Sequence, residues 1–91
     1  MKRRVSFKVL GRVQGVAFRA TAKDQAVRLG VAGWIRNATD GTVEGEAEGD
    51  ASAVDAFLAW MAKGPPGARV DRLAVDDATF FEMGNRFEIR R

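Results

Sequence analysis

The stretch Gly11-Arg12-Val13-Gln14-Gly15-Val16-Ala17-Phe18-Arg19 ends a β-type pattern, opens a helical one and carries an arginine at the join. Gly11 and Gly15 let the backbone turn tightly and come close to a bound group. A strand that feeds a helix N-terminus through such a loop aims several N–H donors one way, and the helix dipole adds positive potential there. Residues 14–19 are therefore a candidate phosphate cradle with Arg19 as its charged clamp. Taken alone, the loop reads equally well as a glycine-containing β-to-α connection. It is no Walker A loop, since Gly-Lys-Ser/Thr does not follow, and it lacks the three-glycine spacing of a dinucleotide fingerprint.

A second candidate stretch is Gly33-Trp34-Ile35-Arg36-Asn37-Ala38-Thr39-Asp40-Gly41. Asn37 falls at the end of a short strand beside a hairpin turn. By itself it reads more simply as a turn residue, because Asn bonds readily to its own backbone.

Composition narrows the chemistry available to these residues. The 91 residues contain no cysteine and no histidine, which excludes disulfides, thiol nucleophiles, zinc sites and Ser-His-Asp triads. Catalysis has to rest on Arg, Lys, Asn, Ser, Thr or carboxylates. Asp40, Glu44, Glu46, Glu48 and Asp50 alternate as one solvated strand face and miss the EF-hand pattern, so neither a metal nor a cofactor is expected. The net charge of +3 comes largely from Lys2, Arg3 and Arg4 at one end and Arg90 and Arg91 at the other. It permits a phosphate-bearing partner without demanding one. No apolar run is long enough to cross a bilayer, and Lys2-Arg3-Arg4 leads into an alternating strand with no h-region. A cytoplasmic address without membrane association is the expectation.

The elements that must position the two stretches follow from periodicity. Residues 3–11 alternate, with Val5, Phe7 and Val9 on one face and Arg4, Ser6 and Lys8 on the other. Phe18, Ala22, Ala26 and Leu29 recur at helical spacing and Gly30 stands where a C-terminal cap belongs. Residues 31–37 form a short strand, Asp40-Gly41 a hairpin signal, and Val43, Gly45 and Ala47 alternate with the three glutamates in the returning strand. Asp50 or Ser52 can cap a second helix, Ser52 with Asp55 approximating a capping box. Val54, Phe57, Leu58 and Met61 give that helix its apolar stripe, and Gly64-Pro65-Pro66-Gly67 ends it. Val70, Leu73 and Val75 suggest a fourth strand with imperfect alternation. After Gly84-Asn85, Phe87 and Ile89 alternate with Arg86, Glu88 and Arg90 in a last short one.

This order is β-α-β-β-α-β plus a terminal strand, an α+β fold of the ferredoxin-like split β-α-β kind, with two helices on one face of a mostly antiparallel sheet. One domain over residues 1–91 is expected. In this plan the first and third strands are antiparallel neighbours, which brings Arg4 and Lys8 beside Glu44, Glu46 and Glu48. The first two strands run parallel on either side of the third, so the loop before Arg19 and the strand end bearing Asn37 share one edge of the sheet.

The runs at 11–19 and 33–44 together resemble the two signatures of the acylphosphatase family, and chain length, element order, the Gly-Pro after the second helix and the Phe-x-Ile near the C-terminus agree. Ile35, where valine is common, and the Arg90-Arg91 ending are slight departures. The resemblance implies metal-independent hydrolysis of the carboxyl-phosphate anhydride of acyl phosphates, giving carboxylate and inorganic phosphate. By position it makes Arg19 the phosphate-binding arginine and Asn37 the water-orienting asparagine. Gln14, Gly15, Val16, Ala17 and Phe18 join Arg19 as expected substrate contacts. The residue types suit these roles. An acyl phosphate already has a good leaving group, so the work lies in holding the phosphoryl oxygens. Backbone N–H groups of residues 15–19 and the Arg19 fork can do that, while Asn37 can aim a water but not readily deprotonate it.

Two other readings compete. A ferredoxin-like nucleic-acid-binding module without catalysis needs a basic sheet face bearing aromatics. Here Glu44, Glu46 and Glu48 oppose a phosphate backbone, and no aromatic is expected to face outward on the first and third strands. A domain retained from a larger carbamoyl-transfer maturation factor would take carbamoyl phosphate, but the short chain without zinc-finger cysteines favours a free-standing, monomeric enzyme.

Overall fold

In the computed structural model, which describes residues 1–80, 82 and 84–91, the first alternating run is strand β1 (Lys2–Arg12). Val5, Phe7 and Val9 are buried on one face, as expected. Helix α1 (Phe18–Leu29), strands β2 (Ala32–Asn37) and β3 (Val43–Asp50), helix α2 (Ala51–Lys63), and strands β4 (Arg69–Ala78) and β5 (Phe87–Arg90) follow. The five strands lie in the order β4-β1-β3-β2-β5. Among the described residues only β2 with β5 is parallel; the other pairs are antiparallel. Both helices cover the same face of the sheet, in the α+β arrangement expected from the element order.

The core forms where the three apolar patterns meet. Phe18, Ala22 and Ala26 of α1 and Val54, Phe57 and Met61 of α2 are buried against the inward residues of the sheet. Phe57 packs edge-on to Phe7 at 6.2 Å and to Phe87 at 5.4 Å between ring centroids, so one aromatic ties α2 to β1 and β5. Gly45 stands opposite Phe7 across the β1–β3 ladder. A Cβ there would come within 2.7 Å of the Phe7 ring and 2.1 Å of the Trp34 carbonyl, so the missing side chain is the space the ring fills. Trp60 lies half-buried on the flank of α2, its ring 5.5 Å from that of Phe18.

The ends of α1 follow the sequence closely. Gly30 is left-handed at φ 74°, and the N–H groups of Gly30 and Val31 bond back to Val27 and Ala26, satisfying carbonyls the helix leaves open. The start of α2 differs from expectation. Asp50 occupies the N-cap position, yet its side chain makes no capping bond, and Ser52 lies within the first turn, so the capping box is not formed. Lys2 is the reason. It pairs with Asp50 across the β1–β3 ladder, and its ammonium holds the carboxylate at 3.0 Å. The N–H of Ala51 is satisfied instead by the carbonyl of Met1 at 2.8 Å.

The charge match across β1 and β3 is present with one change. Lys8 faces Glu44 and Arg4 faces Glu48 in register, but the Arg4 guanidinium reaches diagonally to Glu46 at 2.7 Å. Glu48 does not belong to a solvated face: it is 3% exposed, sharing a small cavity with Phe80, Glu82 and Gly84 of the β4–β5 connection. Burial opposes ionisation of Glu46, but the hydrogen bonds from Trp34 and Arg4 and the charges of Arg4 and Arg90 outweigh it and lower its pKa. The imperfect alternation of β4 has a structural cause as well. It is an edge strand whose register against β1 shifts between Leu10 and Gly11.

Candidate active site

The β1–α1 connection is held in an unusual backbone conformation. Val13 is buried beneath it, Gly15 has φ 76°, and Ala17, the residue before α1, has φ 59° and ψ 26°. A left-handed alanine is unfavourable by about 1–2 kcal/mol, so the surrounding contacts impose this turn. Thr21 helps, directing both its N–H (3.1 Å) and its hydroxyl (2.8 Å) to the Ala17 carbonyl. No side chain caps the N-terminus of α1 and its first turn contains no acid. The opening N–H groups thus face the loop without a carboxylate of the helix's own, a setting that favours an anion.

Arg19 and Asn37 come together here. β1 and β2 both run antiparallel to β3, so their C-terminal ends lie at one edge of the sheet. A cavity of about 180 Å³ opens at that edge, and Gly15, Ala17, Phe18, Arg19 and Asn37 all line it. Arg19 is half-buried, and among the described residues neither its guanidinium nor the Asn37 amide has a hydrogen-bonding or ionic partner. The cavity thus pairs a fixed positive charge with an amide able both to donate and to accept. Among the described residues no group of His, Cys, Asp or Glu is placed to hold a metal ion.

Gln14 and Val16 do not line the cavity. Val16 packs against the core. Gln14 turns toward the β2–β3 hairpin, where its side-chain nitrogen donates to the carbonyls of Ala38 at 2.8 Å and Thr42 at 2.9 Å. It fastens the loop carrying Arg19 to the turn that follows Asn37. The turn is fixed from inside too, by Ala38 N–H to Thr42 carbonyl (2.8 Å) and by Asp40 accepting from the Thr42 hydroxyl (2.6 Å) and N–H (3.1 Å). The Thr42 bonds, first from its side chain and then from its backbone, with help from Lys8, hold the Asp40 carboxyl down to about 2 from 3.8. The local bonding expected of Asn37 is thus carried by Asp40 and Thr42.

Three lining residues, Val13, Ala20 and Ile89, were not among the expected site residues; the first two flank the expected loop, and Ile89 comes from the far end of the chain. Ile89 continues the alternation of Phe87 and reads as core, but it is 41% exposed and lines the cavity. The signal that could have found it is the parallel pairing of β5 with β2, which sets Ile89 opposite Ile35, two residues before Asn37. On the other face of the sheet, Trp34 donates to Glu46 at 2.8 Å and has the guanidinium groups of Arg36 and Arg90 over its ring, 5.3 and 4.8 Å from the centroid. Its indole is already engaged, and Glu44, Glu46 and Asp76 line the groove beside it. That face is a poor platform for a nucleic acid.

The family model described as Acylphosphatase matches residues 5–89. An acylphosphatase of Methylococcus capsulatus is 58% identical over 89 residues, spanning 98% of this chain and 97% of that one. An acylphosphatase of Geobacter sulfurreducens is 44% identical over 90 residues, 99% of each chain. The crystal structure of acylphosphatase from Bacillus subtilis superposes with a TM-score of 0.92 at 35% identity, covering 100% of both chains. A helix N-terminus with no acid in its first turn, an unpartnered arginine and an unpartnered amide at one sheet edge thus sit within a chain that belongs to the acylphosphatase family, hydrolases acting on acyl phosphates.

Proposed function

We propose that the cavity at the start of α1 holds the phosphoryl group of an acyl phosphate, with Arg19 and the backbone N–H groups of residues 15–19 binding its oxygens. Asn37 orients the water that attacks phosphorus. The P–O bond to the acyl group breaks as the new one forms, releasing carboxylate and inorganic phosphate, and the substrate's own phosphate oxygens take the proton of the water. The observation that carries this reading is that Arg19 and Asn37 line one cavity while neither has a partner among the described residues. A guanidinium and preorganised N–H donors stabilise the oxygens as the bond loosens, with no need for a strong acid. Gln14 acts in this reading by positioning the loop rather than by touching substrate. The chain works as one monomeric domain over residues 1–91, in the cytoplasm.

The test is hydrolysis of benzoyl phosphate in the presence of a chelator, beside a phosphate monoester. The anhydride is cleaved and the ester left intact, and Arg19→Ala abolishes both turnover and inhibition by inorganic phosphate. Full turnover by the Arg19→Ala chain would sink the assignment. Comparing carbamoyl phosphate with acetyl and benzoyl phosphate separates a general acylphosphatase from a carbamoyl-phosphate-specific one.

A further inference from the structure

We propose that the acyl part of the substrate lies in the groove between α1 and β5, and that Lys23 gives the enzyme a preference for acyl groups bearing a negative charge. The proposal rests on the phosphate being held by Arg19 and the water by Asn37. Displacement at phosphorus places the attacking and leaving oxygens roughly in line. An acyl group therefore departs from the side opposite the water, away from Asn37. This excludes the polar cavity that continues past Asn37 along the β2–β3 turn.

A second cavity adjoins the phosphate site through Ile89. It is a groove of about 520 Å³, which Lys23, Val27, Arg86, Phe87 and Ile89 line. The helix carries the same direction independently. Arg19, Lys23 and Val27 are spaced four apart, one stripe leading from the phosphate clamp along α1. Val27 is 66% exposed and Ile89 41%, two apolar surfaces left open along a route that starts at the reacting centre. They suit the carbon chain of an acyl group. Lys23, one helical turn beyond Arg19, has no ionic partner among the described residues and lines the groove, where its ammonium would meet a second charge on such a chain. Glu88, the carboxylate in the lining, is turned to Arg90 at 3.7 Å.

The experiment compares succinyl phosphate, whose acyl chain ends in a carboxylate, with acetyl phosphate in the wild-type, Lys23→Ala and Lys23→Arg chains. The quantity read is the ratio of kcat/KM for the two substrates. Lys23→Ala is expected to lower that ratio by about three- to fivefold, the scale of one exposed charge pair. Lys23→Arg restores it, and raising the salt concentration erodes the wild-type preference. An unchanged ratio in Lys23→Ala overturns the proposal, including where activity toward both substrates falls in parallel. Arg19→Ala with acetyl phosphate is the separate control: activity surviving there removes the phosphate-site reading itself, whatever the ratio does.

Discussion

The side-chain nitrogen of Gln14 donates to the carbonyl oxygen of Thr42 at 2.9 Å, and this contact crosses from the loop that leads into Arg19 to the hairpin that follows Asn37. The same nitrogen reaches Ala38 at 2.8 Å, so both amide hydrogens of Gln14 are used in joining the two halves of the site. Gln14→Ala is expected to destabilise the fold by about 1–3 kcal/mol, the range for removing one partner of part-buried hydrogen bonds. It should also lower kcat more than it weakens inhibition by phosphate, because Asn37 loses its placement while Arg19 remains. Urea denaturation and steady-state kinetics on one variant check both outcomes. Intact kcat with lost stability would reduce Gln14 to a purely structural contact.

Asn37→Ala should lower kcat by about 10²–10³, the scale for losing one preorganised polar group at a reacting centre, with inhibition by inorganic phosphate little changed. Arg19→Lys is the finer probe. Lysine keeps the charge but lacks the planar fork, so phosphate binding should persist weakly while turnover falls steeply. Since Arg19 has no partner among the described residues, neither Arg19→Lys nor Arg19→Ala should lower the melting temperature appreciably. Thermal melts beside the kinetics test this pairing of lost activity with unchanged stability.

Much of the architecture was legible because it is periodic. Val5, Phe7 and Val9 announce β1, and Phe18, Ala22 and Ala26 announce α1, each pattern reflecting burial on one face. The convergence of Arg19 and Asn37 was also legible, since it follows from two strands lying antiparallel to a third. What escaped depends on contacts between distant parts of the chain. Asp50 looks like a helix cap until the β1–β3 register brings Lys2 to it. Glu48 looks solvated, but it is buried in a small cavity that Phe80, Glu82 and Gly84 also line. Ile89 looks like core because alternation specifies a face and says nothing about where helix coverage stops. Gln14 reads as a substrate contact because it lies in the loop that leads into Arg19, and only the hairpin's position shows where its amide goes.

The left-handed Ala17 gives a backbone test. Ala17→Gly relieves the crowding of a Cβ at φ 59° and should raise stability by up to about 1 kcal/mol, the relief being partly offset by glycine's greater unfolded-state entropy. Ala17→Val puts a branched side chain into the same turn and should destabilise by about 1–3 kcal/mol. Chemical denaturation of the two variants reads both signs. Equal stability of all three chains would mean the turn relaxes at little cost.

Acid should loosen the hairpin. The Asp40 carboxyl is held down to about 2 by Thr42 and Lys8, so its bonds stabilise the folded state fully above about pH 4. That contribution is lost as pH falls from about 4 to about 2. Asp50, lowered by its hydrogen bond and charge contact with Lys2, acts in the same direction, so wild-type melts alone do not isolate Asp40. The difference in melting temperature between wild-type and Asp40→Asn does. It should be largest above pH 4 and shrink toward pH 2, and a pH-independent difference would count against the carboxylate's role.

The two tryptophans sit in opposite settings, and that makes one of them an optical reporter. Trp34, with the guanidinium groups of Arg36 and Arg90 over its ring, belongs to the far face of the sheet, whereas the Trp60 ring lies 5.5 Å from Phe18, which lines the cavity shared by Arg19 and Asn37. A Trp34→Phe chain retains a single indole, Trp60, and its emission is expected to shift on addition of inorganic phosphate if the anion binds beside Phe18 at the start of α1. Ligand binding could then be followed by light in the intact enzyme, with no label attached and no turnover required.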